Sequence, residues 1–149
     1  KAGLIKNRWP GRLEIVSTNP RIILDGAHNF IAARNLARFL SANYDRRKVT
    51  MVIGILDDKP YRAMLNCLLP TANRVILTRA KINRAMEPQK LEAIAKTIIP
   101  RVTIIPDVKQ ALEHAIKTAS PDDTICVAGS LYVVGEAKEA LDGGLLNGC

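Results

Sequence analysis

With 149 residues, 48% of them hydrophobic and 24% charged, the chain has the size and composition of one globular domain able to bury a core. No apolar run approaches the roughly 20 residues that span a bilayer, so a membrane protein is not expected. The net charge of +8 comes from scattered Lys and Arg, and aromatic residues make up only 4%, which argues against a nucleic-acid surface built on base stacking and leaves an anionic substrate or a solvated surface.

Residues 1–10 are polar and short of core residues; they carry no apolar secretory segment and read as the end of an interdomain linker. The first predicted strand covers residues 13–18. Asn19-Pro20 then turns the chain, because proline fixes φ and asparagine tolerates turn geometry, and residues 21–24 return as an antiparallel partner. Asp25-Gly26-Ala27-His28-Asn29 leads into a helix on which Ala32, Ala33, Leu36, Phe39 and Leu40 share one face, with Arg34, Asn35 and Arg38 elsewhere. Residues 50–55 are apolar on both faces, as a central strand covered from both sides should be. After Asp57-Asp58-Lys59-Pro60, a helix is predicted from Tyr61, Met64, Leu65 and Leu68, which repeat at i, i+3, i+4, i+7 until Pro70 stops it.

A strand at 74–77 follows, then a long loop at 78–86. Pro88 opens a helix with Leu91, Ile94, Ala95 and Ile98 inward, and Pro100 ends it. Residues 102–105 form a short strand, and Asp107 caps a helix that buries Val108, Ala111, Leu112 and Ala115. Residues 120–123 turn into the last strand, 124–128. Gly129-Ser130 enters a final helix over 131–141, and residues 143–149 read as a flexible tail. Strands alternating with helices predict βαβ units. The expectation over residues 11–142 is a Rossmann-like three-layer α/β/α domain: a mostly parallel six-stranded sheet with an N-terminal antiparallel hairpin.

Three widely spaced cysteines, Cys67, Cys126 and Cys149, read as free thiols of a cytoplasmic protein, and with His28 and His114 as the only histidines no metal-ligand spacing is present. In an open α/β sheet, ligands bind outside the C-terminal strand ends, which here carry residues 25–29, 54–59, 78–84 and 129–130. Neither G-x-G-x-x-G nor G-x-x-x-x-G-K-[ST] occurs, so ATP chemistry would require another domain to hold the triphosphate. Asp25 at a strand end suits hydrogen bonding to a ribose. His28 beside a helix N-terminus suits donation to a phosphate or carboxylate oxygen. The plainer reading is that Asp25 caps the helix and His28 lies on the surface.

Four segments together resemble the folylpolyglutamate synthase family, whose C-terminal domain belongs with the Mur ligases. They are Trp9-Pro10-Gly11-Arg12-Leu13-Glu14, Leu24-Asp25-Gly26-Ala27-His28-Asn29, Gly54-Ile55-Leu56-Asp57-Asp58-Lys59 and Gly129-Ser130-Leu131-Tyr132-Val133-Val134-Gly135. The resemblance runs from Trp9 to about Leu141. It implies a glutamate ligase domain that closes over a separate N-terminal P-loop domain, with ATP between them and Mg2+ held by the other domain, so this chain is not expected to be a complete enzyme. It further implies that Arg12 and Asp25 contact ATP, that His28 lies near the reacting groups or the incoming L-glutamate, and that Ser130 receives the glutamate carboxylate. Lys59, Asn29 and Arg84 are implied on the substrate side, with Arg79, Lys81 and Arg84 making a basic loop suited to a polyglutamate tail. The implied reaction activates a folate or dihydropteroate carboxylate as an acyl phosphate, which the amine of L-glutamate attacks. The sequence departs from the family at Pro60, where an acidic residue commonly follows the lysine.

Two other readings compete. A peptidoglycan or cyanophycin ligase domain typically carries tyrosine at the position of Gly26. A non-catalytic α/β nucleotide-binding module of receiver type needs an acidic cluster at the first strand end, whereas Asp57-Asp58 follows a later strand.

Overall fold

The computed structural model describes residues 11–148, so residues 1–10, including the linker reading and the Trp9-Pro10 part of the first motif, and Cys149 lie outside it. Strands β1 (Glu14–Thr18) and β2 (Arg21–Asp25) pair antiparallel around Asn19-Pro20 with a bulge between Ile15 and Ser17. From β2 onward every pairing is parallel. Strands β3 (Val49–Ile53), β4 (Arg74–Arg79), β5 (Arg101–Asp107) and β6 (Thr124–Ala128) complete a six-stranded sheet of order β1-β2-β6-β3-β4-β5. The last strand therefore inserts between β2 and β3.

Two cores follow from the period-two alternation of strand side chains. On one face Ile23, Met51, Ile53, Val75, Leu77 and Cys126 pack under α1 (Phe30–Asn43), α2 (Tyr61–Leu68) and α3 (Pro88–Ala95). On the other, Ile22, Leu24, Val52, Ile76, Ile125 and Val127 pack under α4 (Val108–Thr118) and α5 (Leu131–Asp142). Every residue of β3 and β6 is buried, and each fully buried Val, Leu or Ile contributes about 1.5–3 kcal/mol. The predicted inner face of α1 holds: Ala33, Leu36 and Leu40 are buried while Arg34, Asn35 and Arg38 are exposed.

Three helices begin with a side-chain cap. Asn29 Oδ1 accepts from the Ala32 N–H at 2.8 Å, Asp107 Oδ2 accepts from the Gln110 N–H at 2.9 Å, and Ser130 Oγ accepts from the Tyr132 N–H at 3.0 Å. By contrast, α2 begins after Pro60 with no side-chain cap.

Some boundaries differ from the sequence expectation. Thr78 and Arg79 continue β4 rather than opening the loop, and the buried Thr78 hydroxyl donates to the Pro106 carbonyl at 2.9 Å. β5 runs on through Pro106, which an edge strand tolerates because it lacks a second partner to receive an N–H. α3 ends at Ala95, well before Pro100. Within the segment expected as a flexible tail, a 3-10 turn forms over Leu145–Gly148 and Leu145 packs into the α4/α5 core.

Candidate functional site

The C-terminal ends of β2, β6, β3, β4 and β5 share one edge, because these strands are mutually parallel. Asp25 and Ala128 are register partners, so residues 25–29 and Gly129-Ser130 are brought side by side. Gly129 adopts φ +108, and a Cβ there would collide with the Gly54 carbonyl oxygen, so this crossing of the β6 and β3 ends requires glycine. A Cβ on Gly26 would run into the Leu131 side chain, which shows how closely the β2 loop lies on the start of α5.

Asp25 is half-buried and both its oxygens are engaged by backbone. Oδ1 accepts from Ala27 N–H at 2.8 Å and Oδ2 from Leu13 N–H at 3.1 Å. Burial pushes its pKa above the usual carboxylate value; the two N–H groups and the nearby Arg12 charge pull it back only in part. Leu13 holds this contact at φ 50, a left-handed conformation that non-glycine residues seldom adopt, and Gly11 is also left-handed at φ 76. The Gly26 N–H donates to the Gly11 carbonyl, the Gly11 N–H donates to Glu14 Oε1 at 2.9 Å, and Glu14 Oε2 lies 3.0 Å from Lys138 Nζ on α5. Arg12 sits exposed in this turn.

His28 is half-buried, with Nδ1 2.8 Å from the Gly26 carbonyl. A carbonyl oxygen only accepts, so Nδ1 carries the proton and Nε2 of the neutral ring is an acceptor available to a ligand. The Asn29 side chain is exposed and engaged as the α1 cap, and Ser130 is buried as the α5 cap, its hydroxyl proton still able to donate. Large apolar side chains that remain exposed among the described residues are Phe30, Ile31, Leu131 and Tyr132, in the first turns of these two helices.

The other expected site residues gather at the opposite end of the edge. Lys59 is half-buried in the loop after β3, and its backbone N–H donates to Leu56. That loop is tied to the one after β4 by a bridge between Leu56 and Ala85 and by the Asp57 N–H donating to the Arg84 carbonyl at 2.8 Å. The basic loop is charge-matched by its own surroundings. Arg79 pairs with Glu87 at 2.7 Å, Lys81 with Asp107 at 2.9 Å and Arg84 with Asp58 at 3.7 Å. Among the described residues no group of three or more His, Cys, Asp or Glu is placed to hold a metal ion. Hollows among the described residues include one of about 390 Å³ at the basic loop, lined by Arg79, Lys81, Asn83 and Asp107, one of about 610 Å³ between α1 and α2, flanked by Arg34 and Arg38, and one of about 590 Å³ between α4 and α5, flanked by Lys109, Glu113 and Glu139. The Asp25–Ser130 corner lines none of these.

Sequence reasoning missed Glu14 and Lys138 as neighbours of this corner. Glu14 falls inside the first motif, yet its link to a helix 124 positions later has no local signature. The left-handed Leu13 also carries no signal, since leucine ordinarily avoids that conformation.

Comparison with known proteins gives a consistent picture. A sequence model of the Mur ligase glutamate ligase domain matches residues 11–131. A probable bifunctional folylpolyglutamate synthase/dihydropteroate synthase of Haloferax volcanii is 37% identical over 137 residues, covering 91% of this chain and 16% of that protein. The structure of E. coli FolC in complex with DHPP and ADP superposes with a TM-score of 0.84 at 30% identity, covering 91% of this chain and 32% of that one. A bifunctional folylpolyglutamate synthase/dihydrofolate synthase with Mn, AMPPNP and L-glutamate bound superposes with a TM-score of 0.80 at 31% identity, with the same coverage of 91% and 32%. The chain thus spans a third or less of the length of these relatives.

Proposed function

The chain belongs to the Mur ligase glutamate ligase domain family, and from that membership we propose that it is the C-terminal domain of an ATP-dependent ligase that adds L-glutamate to a folate or dihydropteroate carboxylate. The observation that carries this reading is the juxtaposition of Asp25, His28 and the Ser130-capped start of α5 at the C-terminal edge of the sheet. The site residues lie beside the exposed Phe30, Ile31, Leu131 and Tyr132, and that exposed apolar surface suits a role in which a second surface completes the site.

On this reading Arg12 and Asp25 face the nucleotide. Arg12 offers a permanently charged fork of donors for phosphate oxygens, and Asp25 keeps lone pairs for hydroxyl donors beyond the two N–H groups it already accepts. His28 offers Nε2 to the reacting groups or the incoming amine. The first turn of α5 presents backbone N–H groups and the Ser130 hydroxyl, a setting that favours a carboxylate. Asn29, Lys59 and Arg84 are the substrate-side residues of the proposal. ATP supplies the activation of the substrate carboxylate as an acyl phosphate. The relatives' structures hold ADP or AMPPNP, some with Mn, which supports ATP with a divalent ion such as Mg2+; no residue of this chain is assigned to the metal. No helix among the described residues is long and apolar enough to cross a membrane, and the free thiols of Cys67 and Cys126 suit a reducing, cytoplasmic setting.

The test is ADP release by the full-length protein with ATP, Mg2+ and L-glutamate, comparing dihydropteroate and tetrahydrofolate as acceptors. Turnover with at least one is expected. A folded protein that turns over neither overturns the reading.

A further inference from the structure

We infer that Glu14 and Lys138 are positioning residues that clasp the Gly11–Leu13 turn onto the end of β2 and thereby aim Arg12 at whatever ligand binds beside Asp25. This rests on the ligase reading for the identity of the ligand, though not for the geometry of the clasp.

The turn is held from three sides. Glu14 Oε1 accepts the Gly11 N–H, the Gly11 carbonyl accepts the Gly26 N–H, and Asp25 Oδ2 accepts the Leu13 N–H. The residues on either side of Arg12 are thus both left-handed and both bonded to the β2 end. A leucine at positive φ persists only where its surroundings over-determine it, and such positions concentrate where a precise placement matters. Glu14 is itself tethered. Its carboxylate lies 3.0 Å from Lys138 Nζ, about two turns along α5 from the start that Ser130 caps. The Arg12 turn is therefore joined to both loops of the proposed site, to the Asp25 carboxylate and the Gly26 N–H on one side and, through Glu14, to α5 by an ion pair.

A purely structural role does not explain the pair well. Its two side chains are 40% and 24% exposed, and ion pairs of that exposure add little to stability. What the pair does determine is the backbone around residue 12, and displacement of a binding group by about an ångström is enough to lose one to two orders of magnitude in rate. The signature of a positioning role is thus a large change in nucleotide use with a small change in stability.

The experiment uses the full-length protein with Lys138→Met, Glu14→Ala and Lys138→Arg. Lys138→Met and Glu14→Ala are expected to raise the KM for ATP by about three- to tenfold, to leave the KM for L-glutamate within twofold, and to leave the melting temperature nearly unchanged. Lys138→Arg keeps the ion pair and should restore the wild-type KM for ATP. Amide hydrogen exchange at Gly11, Leu13 and Gly26 should quicken in Lys138→Met and Glu14→Ala and not in Lys138→Arg. If Glu14→Ala fails to fold, the variants at the half-exposed Lys138 still decide the matter. Wild-type turnover with an unchanged KM for ATP in Lys138→Met overturns the clasp alone. A wild-type protein without turnover overturns the ligase reading, and the positioning role with it.

Discussion

At one end of the strand edge, around β2 and β6, Asp25 is bonded only to backbone N–H groups and His28 keeps a ring nitrogen available. At the other end, around β3 to β5, Arg79, Lys81 and Arg84 each sit against a carboxylate within 3.7 Å. The second region holds more charge, yet that charge is already matched. The first holds less, but its groups are fixed by backbone and still have capacity to bind. The contrast separates richness in basic residues from readiness to take an anion: a cation must give up its present partner before it serves a ligand.

The comparison is most sharply tested at Asp25. Asp25→Ala leaves the Leu13 and Ala27 N–H groups without their acceptor and releases the Arg12 turn. The expected result is a fall in kcat/KM by about 10²-fold or more, with about 2–4 kcal/mol lost in denaturant unfolding. Next in size are the two glycines of the same corner. Gly129→Ala places a side chain at φ +108 against the Gly54 carbonyl and should destabilise by about 3 kcal/mol. Gly26→Ala meets mainly the far end of the exposed Leu131 side chain and should cost about 1 kcal/mol. Thermal or urea unfolding of the pair checks the order, and equal losses would contradict it.

At the charge-matched end the expected effects are smaller. Arg84→Ala, which also breaks the exposed 3.7 Å pair with Asp58, should raise the KM for a polyglutamylated substrate by only about two- to threefold, less than any loss at the Asp25 corner. An unchanged KM would remove Arg84 from the substrate side, and a much larger rise would erase the distinction between the two ends. The smallest expected effect is on pH dependence, where the two ends have opposite sign. The Asp107 pKa is lowered from 3.8, first by the Lys81 hydrogen bond and then by the Gln110 N–H, so its contribution is present above 3.8 and is lost as pH falls through the lowered value. The Asp25 pKa is raised from 3.8 by burial, so its contribution is present below 3.8 and is lost as pH rises through the raised value. In urea unfolding between about pH 3 and 6, the stability of the wild type relative to Asp107→Asn should shrink on acidification, and relative to Asp25→Asn it should grow.

Much of this was legible in the residues alone. The inner face of α1, the cap at Asp107, the limits of β6 and the hairpin at Asn19-Pro20 all depend on interactions between residues a few positions apart, which leave a periodicity or a punctuation in the chain. The chain edge that would carry the site followed from the parallel βαβ pattern, and the motif containing Asp25 and His28 pointed to the family that the comparison then identified. Tertiary structure alone decided what those residues touch. Inserting β6 between β2 and β3 is what sets Asp25 beside Ala128 and hence beside Ser130. Packing α5 against β2 and β6 brings Lys138 to Glu14, the loop after β3 supplies Asp58 to Arg84, and the end of β5 supplies Asp107 to Lys81. Leu13 takes a left-handed φ that its own preference opposes, because Asp25 receives its N–H there. Local propensities act over a turn of helix or a strand pair, whereas strand order, charge pairing and a strained turn are settled by contacts between segments far apart in sequence, which no short stretch of the chain encodes.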